Sequence, residues 1–211
     1  MSVKYYKDGE SIDISNIAIK GSGSTLPEYV QNGLFYYTDR DIGKIGSQVL
    51  IGEGLDFSNG YTFEVCAKIT STNNEYMRFL EFAPYGYDIS SATVIASKNY
   101  GYIDLAVNGD WYHDDGASYA YPVGRMMTIS LAADIPNRVA YMYIDGELVV
   151  TINNINSSTS GMSTGGWFYL GCGSVSDRVL DGNVYSGRYY NRILSATEMT
   201  VNRAVDVQMF T

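Results

Sequence analysis

The chain has 211 residues, 45% of them hydrophobic and 18% charged, with 23 acidic against 14 basic side chains and a formal net charge of -9. That is enough apolar material for a core and too little charge for a disordered polymer. The acidic excess, with no cluster of Lys and Arg to offset it, argues against a nucleic-acid partner, and no apolar run approaches the ~18 residues of a membrane-spanning helix.

The opening MSVKYYKDGE lacks the apolar core of a secretory signal. Its Met reads as the start of a whole small gene product, so action outside a cell or on a virion surface has to be reached without a visible signal peptide. Twenty Tyr and 22 Gly stand against one His and four Pro. Tyr favours strands and Gly the tight turns between them, which predicts an all-β fold.

Residues 1–24 stand apart from the rest. VKYYKDGESIDIS reads as a hairpin over Asp8-Gly9, followed by Ile17, Ile19 and the Gly/Ser hinge KGSGST. It can be an edge hairpin of the main domain, or an arm that docks on a partner. The second domain then runs from 25 to 211.

Strands are predicted at 34–38 and 48–51. In YTFEVCAKI, Phe63, Val65, Ala67 and Ile69 share one face while Thr62, Glu64, Cys66 and Lys68 share the other. Such alternation describes a strand with one buried side. Strands at 77–82 and 92–97 follow, then Ile103, Leu105 and Val107 alternating with Tyr102, Asp104 and Ala106, then Met127, Ile129 and Leu131 alternating with Thr128 and Ser130. RVAYMYIDGELVVTI reads as a hairpin, because Asp145-Gly146 suits the positive φ angles of a two-residue type I′ turn. Strands at 167–172 and 183–190 complete a sandwich or barrel, and Trp167, at the head of its strand, reads as core.

Ser195 and Glu198 have the spacing of a capping box, which predicts a helix of about two turns from Ala196 towards Val205, with Met199 and Val201 facing the sheets. Cys66 and Cys172 lie on faces of different character, so both are expected as free thiols.

The stretch DGNVYSGRYYNRILSATEM resembles the last core strand of the laminin-G-like and concanavalin A-like jelly rolls. Gly182, Val184, Arg188, Tyr190, Asn191, Arg192, Leu194, Ser195 and Glu198 follow that family's order and spacing. NGLFYY, LDFSNGYTFEVCAKI, AYMYIDGELV and FYLGCG fit the same template, so the resemblance spans residues 33–205. Residues 83–125 match only in general character, and Gly187 stands where the family has an apolar side chain. The resemblance implies a two-sheet antiparallel jelly-roll β-sandwich of the concanavalin A-like kind with a short C-terminal helix. It also implies ligand contacts on loops and on the concave sheet.

Some jelly rolls of this shape are glucanases, with a Glu-x-Asp-x-x-Glu strand that supplies nucleophile and acid. This chain has no such segment. His113 is the only His and no Gly-x-Ser-x-Gly elbow accompanies it. The expectation is a protein that is not an enzyme.

Two kinds of binding site remain. Laminin-G-like domains often hold calcium through loop oxygens, and Asp177, Asp181 and Asn183 are donors of that kind, though they read more readily as turn residues capping the approach to a strand. For carbohydrate, Trp111 and Tyr112 stand in a predicted loop with Asp110 and His113, and Tyr85 and Tyr87 in another. Such rings stack on the apolar side of a sugar while neighbouring polar groups take its hydroxyls. The same rings can instead cover sheet edges, and His113 with Asp114 and Asp115 can be a solvated turn. The leading expectation is a surface recognition module for a glycan or other cell-surface ligand. The second is a structural or accessory protein of a larger particle such as a phage virion, docked through residues 1–24.

Overall fold

Apolar and polar side chains alternate along almost every strand, and that period decides which side faces inward. The computed structural model describes residues 4–7, 10–13, 29–30, 34–37, 47–51, 57–71, 76–84, 92–97, 101–112, 118–159, 165–174 and 178–211, the first strands up to residue 51 by backbone path alone. In chain order the strands are β1 (Lys4–Lys7), β2 (Glu10–Asp13), β3 (Leu34–Tyr37), β4 (Ser47–Ile51), β5 (Tyr61–Ile69), β6 (Met77–Pro84), β7 (Thr93–Ser97) and β8 (Tyr102–Val107). Then come β9 (Asp110–Tyr112), β10 (Tyr119–Ala120), β11 (Met126–Asp134), β12 (Val139–Ile144), β13 (Glu147–Asn153), β14 (Gly166–Leu170), β15 (Gly182–Tyr190) and the helix α1 (Ala196–Phe210).

β1 and β2 pair as an antiparallel hairpin in a small sheet of their own. The other strands make two antiparallel sheets. One has the order β10-β8-β7-β6-β14-β4 with β9 also on β8, and the other the order β13-β12-β11-β5-β15-β3. The chain is a two-sheet jelly-roll β-sandwich with a single C-terminal helix among the described residues. The strands at 110–112 and 119–120 are too short for a period to show in the sequence.

Phe63 on β5 joins the layers: its ring lies 5.9 Å from Phe82 and 5.6 Å from Phe168 on the facing sheet, and 5.2 Å from Tyr189 beside it. Val65, Ala67 and Ile69 on β5, and Met127, Ile129 and Leu131 on β11, fill the same core. Truncating one such buried aromatic costs about 3–5 kcal/mol. Asp145 and Gly146 both have positive φ, 55° and 88°, as the type I′ turn requires. Gly187 lies on the inner side of β15, where an added Cβ would meet Leu170 Cδ2 at 2.5 Å; Leu170 fills the space of the missing side chain. Cys66 is buried, Cys172 half-buried, and neither is part of a disulfide.

Three expectations are corrected. The polar face of β5 does not meet solvent, because Thr62, Glu64 and Cys66 are fully buried beneath α1 and its neighbours. The helix runs on to Phe210, and its buried positions are Met199, Asn202, Val205 and Asp206, while Val201 is 40% exposed. Two of those four buried residues are polar, so no apolar stripe marks the helix's second half. Trp167 lies on the outer side of β14, opposite Phe168 and Leu170, and is half-buried instead of core.

A closed polar network fastens α1 to the six-stranded sheet. Arg188 donates to Asp206 Oδ1 and Oδ2 at 2.7 and 2.8 Å and to Glu64 Oε2 at 2.9 Å, all three side chains being sealed from water. Thr128, Ser186 and Tyr29 also donate to Asp206, and Ser130 and Asn202 to Glu64. Burial alone would raise the Asp206 carboxyl; the Arg188 charge and these donors outweigh it and hold it below its ordinary value. α1 lies on this sheet, and among the described residues no helix lies on the outer face of the seven-stranded sheet.

Candidate functional site

On that outer face the register sets one row of side chains across five strands. Trp111 on β9 pairs with Ala106 on β8, Ala106 with Val94 on β7, Val94 with Glu81 on β6, and Glu81 with Tyr169 on β14. Four strand spacings separate Trp111 from Tyr169, about 19 Å along the sheet. Small side chains make the floor: Ala92, Val94, Ala96 and Ala106 form a buried apolar cluster, and Trp111 packs on it. At the far side Trp167 and Tyr169 stand two apart on β14 and share the outer face, both half-buried.

An ion pair sits under this aromatic rim. Arg78 and Glu81 are three apart on β6, a spacing that would put them on opposite faces of a regular strand. The register shift between Arg78 and Leu80 inserts an extra residue and brings both to the outer side, with Nε to Oε2 at 3.2 Å. Both are fully buried. The Arg78 guanidinium also donates Nη1 to the Tyr76 carbonyl at 3.0 Å, and it lies 5.0 Å from the centre of the Trp111 ring. Glu81 accepts Ser174 N at 3.0 Å, and Gly173 beside it has no room for a side chain, since a Cβ would press on Glu81 and Arg78. Burial, with the Glu81 and Cys172 charges adding to it, raises the Tyr169 hydroxyl above its ordinary range. At the sheet's other end Tyr76 and Tyr102 are 40% and 47% exposed, and the Arg178 guanidinium lies 5.8 Å from the Tyr76 ring.

The residues singled out from sequence fall in different places. Trp111 and Tyr112 stand on a strand and not in a loop, and they project to opposite faces. Trp111 lies on the outer face, whereas Tyr112 packs against the core and its hydroxyl accepts Asn156 N at 3.0 Å. Burial raises that hydroxyl, partly offset by the Asn156 bond. Asp110 is exposed at the start of β9. Tyr85, Tyr87, His113 and Asp177 lie outside the described residues.

Asp181 and Asn183 are half-buried where β15 begins. The Asp181 carbonyl already accepts Thr70 N at 2.9 Å and Thr70 Oγ1 at 3.1 Å. Calcium takes six to eight oxygens, and among the described residues no group of three or more His, Cys, Asp or Glu side chains comes together.

Sequence reasoning missed Trp167, Tyr169, Arg78 and Glu81. Alternation in GWFYLG was enough to set Trp167 and Tyr169 apart from Phe168 and Leu170. For Arg78 and Glu81 the bulge hid the shared face.

No known family profile matches the sequence, and no curated protein does. Solved structures do match in fold. The carbohydrate-binding module CBM40 of the Ruminococcus gnavus IT-sialidase superposes with a TM-score of 0.54 at 18% identity, covering 81% of this chain and 98% of that one. The same module has been solved bound to α2,6 sialyllactose. Domain 4 of AbnA, an extracellular arabinanase of Geobacillus stearothermophilus in complex with arabinotriose, gives 0.57 at 17% identity and 81% of each chain. A heptameric SAP-like pentraxin of Limulus polyphemus gives 0.55 at 15% identity and 80% of each. At these identities the likeness is one of fold.

Proposed function

We propose that this chain is a carbohydrate-binding module without catalysis of its own, and that it holds its glycan on the outer face of the seven-stranded sheet. The observation that carries this reading is Trp111: one side of its ring rests on the buried Arg78 guanidinium and the small-residue floor, and the side chain remains partly open to solvent. A ring fixed in that way offers a flat apolar surface to the C-H side of a sugar with little loss of side-chain freedom on binding. Trp167 and Tyr169 offer further stacking surface across the sheet. The fold is shared with modules solved with sialyllactose and arabinotriose, which supports glycans as the ligand class.

The finer assignment to the laminin-G-like branch of the sandwich rests on the spacing from Gly182 to Glu198. A glycan array that includes sialylated and arabinose oligosaccharides, run with and without calcium, tests the function. Binding to a defined set of glycans supports it. Binding to none under either condition contradicts it.

A further inference from the structure

The hairpin that carries Trp111 is clasped from its inner side. β8 and β9 are joined by Asn108-Gly109, whose φ angles of 50° and 94° make the tight turn. Asn108 Nδ2 donates to the Asn156 carbonyl at 2.7 Å, and Asn156 Nδ2 donates back to the Asn108 carbonyl at 2.8 Å. A third bond ties the strand itself: Asn156 N donates to the Tyr112 hydroxyl at 3.0 Å. From below, Tyr61 donates to Asn108 Oδ1 at 3.1 Å, and its hydroxyl lies 2.9 Å from Thr93 Oγ1. Ile155 N donates to the Arg138 carbonyl, anchoring the 154–156 segment to the turn that leads into β12.

β9 needs such support. It has three residues and, among the described residues, pairs with β8 alone, and a ribbon that short frays without help. Trp111 and Tyr112 are neighbours on opposite faces, so the tilt of β9 that seats Tyr112 on Asn156 also lays the Trp111 ring over Arg78.

We infer that Tyr112, Asn156 and Asn108 are positioning residues for the glycan site: they hold Trp111 flat on Arg78 before any ligand arrives and do not touch the ligand themselves. This rests on the reading of Trp111 as the stacking surface, and it moves Tyr112 from the list of ligand contacts to the support behind one. Preorganised rings bind more tightly because less motion is lost on binding.

The chain has two Trp, so Trp167→Phe leaves Trp111 as the sole tryptophan emitter. In that background, acrylamide quenching of Trp111 is compared among the parent, Tyr112→Phe and Asn156→Ala. Thr200→Ala, which removes a side-chain bond to the Ala196 carbonyl on α1, on the far side of the sandwich from this hairpin, serves as the control. Quenching should rise about twofold in Tyr112→Phe and Asn156→Ala and stay at the parent value in Thr200→Ala, as expected when one supporting hydrogen bond is lost. With Trp167 intact, affinity for a glycan found on the array should fall about fivefold in Tyr112→Phe. Parent-like quenching in both hairpin variants overturns the inference; Tyr112→Phe removes one oxygen only, so this arm remains readable even if Asn156→Ala does not fold. The fluorescence arm needs no ligand. Raised quenching with unchanged glycan affinity upholds the support role and instead sinks the reading of Trp111 as the stacking surface.

Discussion

Arg188 and Asp206 meet through two parallel hydrogen bonds, Nη1 to Oδ1 at 2.7 Å and Nη2 to Oδ2 at 2.8 Å, at the centre of the contact between α1 and the six-stranded sheet. Neither side chain is open to water, and Glu64 adds a second carboxylate to the same guanidinium. Removing the guanidinium leaves two buried carboxylates that the interior cannot solvate. Arg188→Met should therefore destabilise the fold by about 3–5 kcal/mol in urea unfolding followed by circular dichroism. A loss under ~1 kcal/mol, typical of an exposed pair, would show that water reaches the contact.

Acid should weaken the same end of the molecule. Glu198, bonded by Arg192 and by Ser195 N and Oγ, has its carboxyl lowered from 4.5 to about 2, with burial opposing the shift. The Asp206 carboxyl is likewise held below its ordinary 3.8. Between the unfolded and folded values the unfolded chain binds more protons, so the stabilisation is complete above the unfolded value and is lost as pH falls through the folded one. For Glu198 the window runs from 4.5 down to about 2. In unfolding measured across pH 2 to 6, about the range these carboxyls titrate over, the advantage of the parent over Glu198→Gln should shrink through that window. An advantage independent of pH would contradict the bond network at the cap.

Gly187 leaves no room beneath Leu170. Gly187→Val, which restores the family's apolar side chain, should cost about 1–3 kcal/mol by overpacking. Pairing it with Leu170→Ala should recover part of that loss, read as a negative coupling in a double-mutant cycle. Purely additive losses would mean that the two positions do not share one space.

The two thiols should differ sharply in reactivity. Burial, with the Asp206 charge beside it, pushes the Cys66 thiol well above its ordinary value, whereas Cys172 is half-buried. A thiol reagent at neutral pH should titrate Cys172 in the folded protein and Cys66 only after unfolding. Equal rates would place Cys66 nearer the surface than the structure does.

Most of the fold was legible because period-two alternation and turn chemistry are local signals. Phe63, Val65 and Ile129 announce their inward faces, Asp145-Gly146 announces its turn, and Ser195 with Glu198 announces the helix start. The inward face of α1 was not legible past Met199, since Asn202 and Asp206 are polar residues buried by partners that come from β5, β11 and β15. Glu64 read as solvent-facing for the same reason. At the candidate site, Trp111 could be picked out but its face could not, because β9 is shorter than one clear period. Arg78 and Glu81 share a face only through a bulge, which no spacing rule reports.

The central claim is glycan recognition by the aromatic outer face of the seven-stranded sheet. Calorimetric titration of an array-selected glycan into the parent and into Trp111→Ala, with folding of both checked by thermal denaturation, tests it most directly. The account predicts at least about tenfold weaker binding in Trp111→Ala, as expected for a lost aromatic contact. Equal affinity in a folded Trp111→Ala protein would contradict it.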